Sequence, residues 1–135
     1  MDLETRIREK LIGQRFMHHI GFEITKIEEG RVEGEMHLHE HTKQQLDFLH
    51  GGVTLTVSDI VMGFAALTKT PEPHKVVTAE LKLSFLNPGI GDRIRAVGIA
   101  LKSGSKLHFC EAEVYVYHHG KETLIAKSSS TMAII

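Results

Sequence analysis

The stretch from Gly51 to Leu67 constrains the fold most, because Asp59 is its only ionisable residue. From Val53 onwards it is apolar on nearly every face, and a helix that is apolar all round lies buried. Its 17 residues include several hydroxyl groups, so the stretch is too short and too polar for the roughly 20 apolar residues of a membrane span. We therefore expect a buried core helix that the rest of the chain must enclose.

Hydrophobic periodicity places the other elements around this helix. An amphipathic helix is predicted from Asp2 to about His19, and Gly13 weakens it midway. Period-two patterns bounded by turn residues predict six strands, at Gly21–Glu29, Arg31–His39, Val77–Phe85, Arg93–Leu101, Leu107–Tyr117 and Glu122–Ile134. The last four are expected to form a meander. In the first of those four, the residues expected to share the buried face are Val77, Ala79, Leu81, Leu83 and Phe85.

This order predicts one α+β domain over residues 1–135, with residues 1–19 as an N-terminal helical segment. A curved antiparallel sheet must wrap the apolar helix, since nothing else in the chain is large enough to cover it. The apolar fraction of 41% and the charged fraction of 24% are those of an ordinary globular protein.

The charge balance argues against nucleic acid and membrane partners. Sixteen Lys and Arg against 17 Asp and Glu give a net charge of −1, so no global field attracts a polyanion or an anionic membrane. Cys110 is the single cysteine and allows no internal disulfide, and the sequence opens on charged residues where a signal peptide needs an apolar segment. We therefore expect a cytoplasmic protein.

Asp59 is the first candidate for chemistry. A carboxylate in apolar surroundings is costly unless it finds partners, and such groups serve as general bases or nucleophiles. A structural alternative is equally consistent with the sequence: Ser58-Asp59 would cap a short helix from Ile60 to Leu67, and Val53 to Val57 would form a strand.

The second candidate is His50-Gly51-Gly52, immediately before the helix. Glycines at a helix start leave backbone N–H groups uncovered, so that a carbonyl oxygen or an anion approaches closely, as an oxyanion hole requires. On spacing alone, a plain turn with a glycine hinge explains the motif as well.

The spacing of these two candidates has a geometric consequence. Asp59 lies eight residues beyond Gly51, which is roughly 12 Å along a helix axis. One carbonyl cannot touch both groups of the same helix. If both serve one reaction, the carboxylate comes from a second copy, and a two-fold dimer with two identical sites is the simplest arrangement.

The run from Gln44 to Ala66, QQLDFLHGGVTLTVSDIVMGFAA, resembles the signature of hotdog-fold acyl-CoA thioesterases of the phenylacetate-degradation (PaaI-like) type. In that family N-P-x-G-x-x-H-G-G opens the central helix, and an acidic residue follows nine positions after the His, as Asp59 follows His50 here. The resemblance covers roughly Phe16 to Ile134, and the predicted order of elements is similar to that fold.

The resemblance implies a role for each matching residue. The Gly51 N–H would polarise the thioester carbonyl, and Asp59 of the partner subunit would act as nucleophile or as general base on water. His50 would help to shape the pocket rather than take the proton. Thr78 falls where relatives often carry a Ser or Thr that holds the attacking water, although an ordinary strand residue is equally consistent with the sequence.

Two positions depart from the family pattern. Gln44 stands where the family has Asn, and its extra methylene places a water-positioning role in question. Asp47 replaces a Gly, either as a loop residue that tolerates a turn conformation or as a second acid.

Three further features of the sequence bear on the binding of coenzyme A or of a metal. The loop of Lys102, Ser103, Gly104, Ser105 and Lys106 lies where relatives contact the phosphates of coenzyme A, although a solvated hairpin loop is the commoner reading. His37, His39 and His41 alternate, but no recognised metal spacing is complete, so no metal is expected. Cys110 has the pattern of a small core residue. Coenzyme A enters only as part of the substrate, and no separate cofactor is expected.

The sequence therefore predicts a hotdog-fold acyl-CoA thioesterase that works as a homodimer or as a dimer of dimers. Two alternatives remain: a non-catalytic acyl-CoA or lipid-binding module on the same fold, and a hotdog hydratase or dehydratase that uses His50 and Asp59.

Overall fold

The computed structural model describes residues 1–135 and contains three α-helices and one six-stranded antiparallel sheet. The helices are α1 (Leu3–Leu11), α2 (Arg15–Ile20) and α3 (Gly51–Thr68). The strands are β1 (Glu23–Glu28), β2 (Arg31–His37), β3 (Val76–Phe85), β4 (Arg93–Ser103), β5 (Leu107–His118) and β6 (Lys121–Ile134). The predicted α+β class, with a sheet around a long helix and an additional N-terminal helical segment, is confirmed.

Helix α3 is continuous, so the alternative in which Ser58-Asp59 caps a shorter helix is wrong. The sheet packs closely on the helix at Gly98 of β4, where a Cβ atom would overlap the backbone of Val61. Val61 and Ala65 are fully buried at the centre of a single apolar core. The predicted buried core helix is confirmed.

The expectation that this stretch is too short and too polar for a membrane span is wrong by length and composition. Helix α3 includes Thr68, and its 18 residues have a mean hydropathy of 1.4, which is enough to cross a membrane. However, 61% of the helix is buried inside the fold, and the strands that pack on it supply the apolar surroundings.

The N-terminal helix divides where Gly13 weakens it. Asp2 caps α1 by accepting a hydrogen bond from Thr5 N–H at 2.8 Å, and α1 buries Ile7 and Leu11 against the core. After the break at Gly13, α2 ends at Gly21, whose φ of 82° provides the left-handed cap.

The strand order is β1-β2-β4-β5-β6-β3, so the predicted four-strand meander is wrong. Strands β4, β5 and β6 form a meander, but β3 pairs with β6 at the sheet edge. The connection after β3 is too long for a tight hairpin. It crosses the ends of β6 and β5, where Asn87 Nδ2 donates to Leu124 O at 2.9 Å and Asp92 N–H donates to Tyr117 O at 2.9 Å.

A β-bulge in β3 overturns the predicted alternation of that strand. Thr78 pairs with Met132 and Glu80 pairs with Thr131, so Ala79 is an extra residue. Leu81 and Leu83 pack on the core as predicted, but before the bulge the inward positions are Val76 and Thr78. Three of the residues predicted to face inward are exposed, namely Val77, Ala79 and Phe85.

His108 is a fully buried side chain at the C-terminal end of α3. The Thr70 hydroxyl donates to Ala66 O, so its oxygen accepts from His108 Nε2–H at 2.8 Å. His108 Nδ1 is buried without a hydrogen-bond partner. Burial, and then the charge of Lys69, hold the pKa of His108 below its ordinary value of 6.5.

We expect this histidine to make stability depend on pH. As the pH falls through 6.5, residue 108 takes up a proton in the unfolded chain before it does so in the folded chain, so the free energy of unfolding falls. His108→Gln keeps an N–H donor for Thr70 and removes the titration. Between pH 6.5 and 5, the unfolding free energy of the variant should fall less steeply with decreasing pH than that of the wild type. The difference between the two slopes is at most about 1.4 kcal/mol per pH unit. Urea titrations of both proteins measure the slopes; equal slopes would contradict the account.

Candidate active site

Asp59 and Thr78 form a hydrogen-bonded pair between the middle of α3 and the start of β3. Thr78 Oγ1–H donates to Asp59 Oδ1 at 2.6 Å, and the same hydroxyl lies 3.4 Å from Met132 Sδ. Asp59 is half-buried, so within one chain its carboxylate is not enclosed by an apolar wall. The bulge at Ala79 aims Thr78 at this carboxylate, because it shifts the strand by one residue.

A cavity of about 390 Å³ opens beside this pair. Asp59 and Thr78 lie on its wall, and the C-terminal half of α3 and the first residues of β3 extend it. Residues of the N-terminal helical segment complete it, namely Lys10, Gln14 and Phe16. The sequence interpretation missed these three and also Lys75, because they lie far along the chain from both motifs.

His50 and Gly51 form the N-terminus of α3. His50 caps the helix, and its Nδ1 accepts a hydrogen bond from Gly52 N–H at 2.8 Å. This bond requires an unprotonated Nδ1, and the ring is turned toward the helix start. The Gly51 N–H belongs to the first helical turn and donates to no group of the chain, so it is free for an external acceptor.

Gln44 and Asp47 belong to the turn that leads into this helix start. Gln44 Oε1 accepts from Leu46 N–H, so the side-chain carbonyl is engaged in its own turn. Asp47 has a φ of 67°, a left-handed conformation that Gly, Asn and Asp adopt most readily. Its side chain is 86% exposed and lies 3.5 Å from Lys43 Nζ. A turn role therefore explains the exchange of the family's Gly for Asp47.

The two halves of the predicted site lie in separate grooves of the chain. Gly51 and Gln44 line a second groove of about 460 Å³, together with Phe85 at the end of β3. This groove shares no lining residue with the cavity of Asp59 and Thr78. The structure brings Asp59 to Thr78, and it brings Gly51 to His50 and Gln44. Within one chain these two groups of residues remain apart.

The loop of Lys102, Ser103, Gly104 and Lys106 lies at the end of the sheet where β3 begins. It is exposed, and Lys106 O accepts from Ile134 N–H at 2.9 Å. Lys75 is bonded to the neighbouring residue Ile135 through both backbone groups, and Lys75 lines the Asp59 cavity. The loop is therefore connected to the cavity rim through the C-terminal residues.

The remaining candidate groups are structural. Burial raises the pKa of the Cys110 thiol to about 11, so the thiol stays protonated and packs in the core. His39 Nε2 lies 3.0 Å from Ile20 O, and its ring is 6.1 Å from that of His41. No group of three or more His, Cys, Asp or Glu side chains is arranged to hold a metal ion.

Comparison with known proteins identifies the family of the chain. The sequence profile of the thioesterase superfamily matches residues 46–123, more than half of the chain. The chain belongs to the thioesterase superfamily. Its similarity extends over nearly the whole length of the medium/long-chain acyl-CoA thioesterase YigI of Escherichia coli, which is 25% identical over 153 residues covering 93% of this chain and 92% of YigI.

Two solved structures show the same fold. A thioesterase family protein from Silicibacter pomeroyi is 32% identical, with a TM-score of 0.97 over 99% of this chain and 98% of that one. The PaaI protein of E. coli, from the phenylacetic acid degradation operon, has a TM-score of 0.89 at 16% identity, covering 98% and 93% of the two chains. The predicted hotdog fold and thioesterase class are confirmed.

We expect the Thr78 hydroxyl to contribute to thioester hydrolysis by fixing the Asp59 carboxylate. Thr78→Val keeps the shape but removes the donor, and a hydrogen bond to a charged group contributes about 1.5–3 kcal/mol. A fall of roughly 10- to 100-fold in kcat follows if the bond is maintained in the transition state. Thr78→Ser keeps a hydroxyl and should stay near the wild type. Equal kcat for Thr78→Val and the wild type would show that the bond is only structural.

Proposed function

We propose that the protein hydrolyses acyl-CoA thioesters to a carboxylic acid and free coenzyme A, in a site shared by two copies of the chain. The observation that carries the proposal is the Asp59–Thr78 pair on a cavity wall, with the free Gly51 N–H in a different groove. Membership of the thioesterase superfamily supports the reaction, and the similarity to the acyl-CoA thioesterase YigI supports acyl-CoA as the substrate class.

Asp59 supplies the carboxylate of the reaction. The Thr78 hydroxyl donates a hydrogen bond to Oδ1, whereas no group of the chain donates to Oδ2. As a general base, Oδ2 takes a proton from water while the water oxygen bonds to the thioester carbon. As a nucleophile, Oδ2 bonds to that carbon itself, and water then hydrolyses the resulting anhydride. In both routes the carbon–sulfur bond breaks and the sulfur of coenzyme A receives a proton.

Gly51 supplies the electrostatic stabilisation of the transition state. Its N–H stands at the positive end of the 18-residue helix α3, and the absence of a side chain lets a carbonyl oxygen approach. Charge that develops on this oxygen in the transition state is stabilised by such a donor, at roughly 10²–10³ in rate per donor. His50 orients the start of α3 as its N-cap, and Gln44 lines the groove into which Gly51 opens.

The position of β3 explains how two copies bring these groups together. β3 is an edge strand of ten residues, and such an edge pairs readily with another strand. A two-fold axis near its middle pairs β3 with its copy in antiparallel orientation. The start of one strand, with Thr78 beside Asp59, then faces the end of the other, where Phe85 lies against Gly51.

The exposed apolar side chains of this region support the same dimer. Four large ones lie along β3, at its end and on the N-terminal half of α3, each more than 40% exposed: Leu55, Val77, Phe85 and Leu86. Burial of such side chains between copies would remove apolar area from water. A homodimer is therefore part of the proposed site, and a dimer of dimers remains compatible with it.

The proposed reaction uses only groups of the chain and water, and coenzyme A enters with the substrate. Its phosphates are proposed to contact the loop of Lys102, Ser103, Gly104 and Lys106, which offers charged side chains and backbone donors near the cavity rim. We place the protein in the cytoplasm, since its one cysteine is buried as a thiol.

We expect Asp59→Asn to abolish most of the thioester hydrolysis. The amide keeps an acceptor for Thr78 but neither removes a proton from water nor attacks carbon, so kcat should fall by at least about 10²-fold. Release of free thiol from a panel of acyl-CoAs measures the effect.

Asp47→Asn is the matched control, because Asn also tolerates the left-handed backbone of residue 47. It should hydrolyse acyl-CoAs like the wild type. Full kcat in Asp59→Asn would contradict the mechanism, and a loss confined to Asp47→Asn would identify Asp47 as the acid. Binding of acyl-CoA without turnover by the wild type would favour the non-catalytic module instead.

A further inference from the structure

The cavity beside Asp59 continues as a groove along one face of α3. The residues of α3 that line it recur at helical spacing: Thr56, Asp59, Ile60, Gly63, Phe64 and Leu67. From Asp59 to Leu67 the groove follows eight residues of helix, which is roughly 12 Å. The groove is therefore elongated. Its α3 wall beyond Asp59 is apolar, whereas Lys10, Gln14 and Lys75 place polar side chains on the other walls.

Gly63 leaves a gap in this wall, one helical turn beyond Asp59. A Cβ atom at this position would meet only Met132 Cε, at 4.0 Å, so a side chain here would project into open space. The gap is not needed for packing, in contrast to Gly98, where any side chain overlaps the backbone of Val61. Glycine also costs about 1 kcal/mol of helix stability relative to alanine, so no folding requirement explains it.

The N-terminal helical segment lies at the C-terminal end of α3, where Arg6 donates to Leu67 O at 3.5 Å, and so it covers the far part of the groove. Phe16 of α2 lines the cavity and is 57% exposed, and Lys10 and Gln14 stand at its rim. Lys10 Nζ lies 3.5 Å from a carboxylate oxygen of Glu72, so its charge is paired. An apolar chain that leaves Asp59 along α3 therefore passes Gly63 first and then reaches the Phe16 ring.

We infer that this groove holds the acyl part of the substrate as an extended aliphatic chain, and that Gly63 and Phe16 determine how long a chain is accepted. The inference rests on the proposed function, because it takes Asp59 as the reacting end of the groove. A single aromatic ring would leave the part beyond Gly63 empty, whereas a straight chain fills it.

The test is a comparison of chain lengths in the full-length protein. Gly63→Leu fills the gap with a branched side chain, and each buried methylene of the ligand that it displaces costs about fourfold in affinity. Hydrolysis of dodecanoyl-CoA and longer thioesters should fall at least about tenfold in kcat/KM. Butyryl-CoA, which ends before Gly63, should be hydrolysed as by the wild type. Gly63→Ala is the matched control: it adds one methyl group and should change hydrolysis little at any chain length.

Binding of non-hydrolysable S-alkyl-CoA thioethers, from butyl to dodecyl, separates this inference from the proposed reaction. Gly63→Leu should weaken binding of the long thioethers and not of the short ones, whether or not thioesters are cleaved. Phe16→Ala, at an exposed position that the fold does not depend on, should weaken the longest ones only. An equal loss at all lengths, or no loss in Gly63→Leu, would overturn the inference. If the wild-type protein binds the thioethers according to chain length but releases no thiol from acyl-CoA thioesters, the proposed function is wrong and the inference about the groove stands.

Discussion

The rest of the structure depends on the burial of one helix that carries a single carboxylate. Helix α3 is apolar on nearly all sides, so every other element is placed by the need to cover it. The sheet packs so closely that Gly98 admits no side chain over Val61, and α1 and α2 cover part of what the sheet leaves open. Asp59 lies on the remaining face, half-buried and bonded to Thr78.

This incomplete cover explains why function and assembly are linked in our account. A chain of this size has no second lobe to close a cleft, and its Asp59 cavity and Gly51 groove lie apart. The edge strand β3 joins the two, because its start lies beside Asp59 and its end lies beside Gly51. A second copy paired along β3 would both bury the exposed apolar side chains and complete each site.

Local patterns in the sequence predicted most of the elements, because burial on one face of a helix or strand repeats at a fixed period. The long core helix and the break at Gly13 both follow from such signals. The place of β3 beside β6 does not, since a strand's partner is set by the long connection that follows it. The bulge at Ala79 was not predicted, because Val77 and Ala79 are apolar and continue the alternation of Leu81 and Leu83 although the bulge reverses the faces of the strand.

The candidate site was predictable in its parts and not in its extent. Asp59 is conspicuous as a lone charge, and the His50-Gly51-Gly52 motif marks a helix start, so both are found by reading along the chain. The cavity beside Asp59 also needs Phe16 and Lys75, which fold against it from distant parts of the sequence. The likeness to thioesterases indicated Thr78 as a site residue, and only the fold places its hydroxyl on the carboxylate.

The central claim is that each site takes Gly51 from one copy and Asp59 from the other, and a mixture of two inactive variants tests it most directly. Gly51→Pro removes the N–H at the first helical position, where proline is tolerated, and the extended backbone of His50 accepts a following proline. When the Gly51→Pro and Asp59→Asn variants are refolded together in equal amounts, half of the dimers contain one copy of each. Every such mixed dimer holds one intact site. The account predicts recovery of about a quarter of wild-type thioester hydrolysis. No recovery, in a mixture shown to contain the mixed dimer, would contradict it.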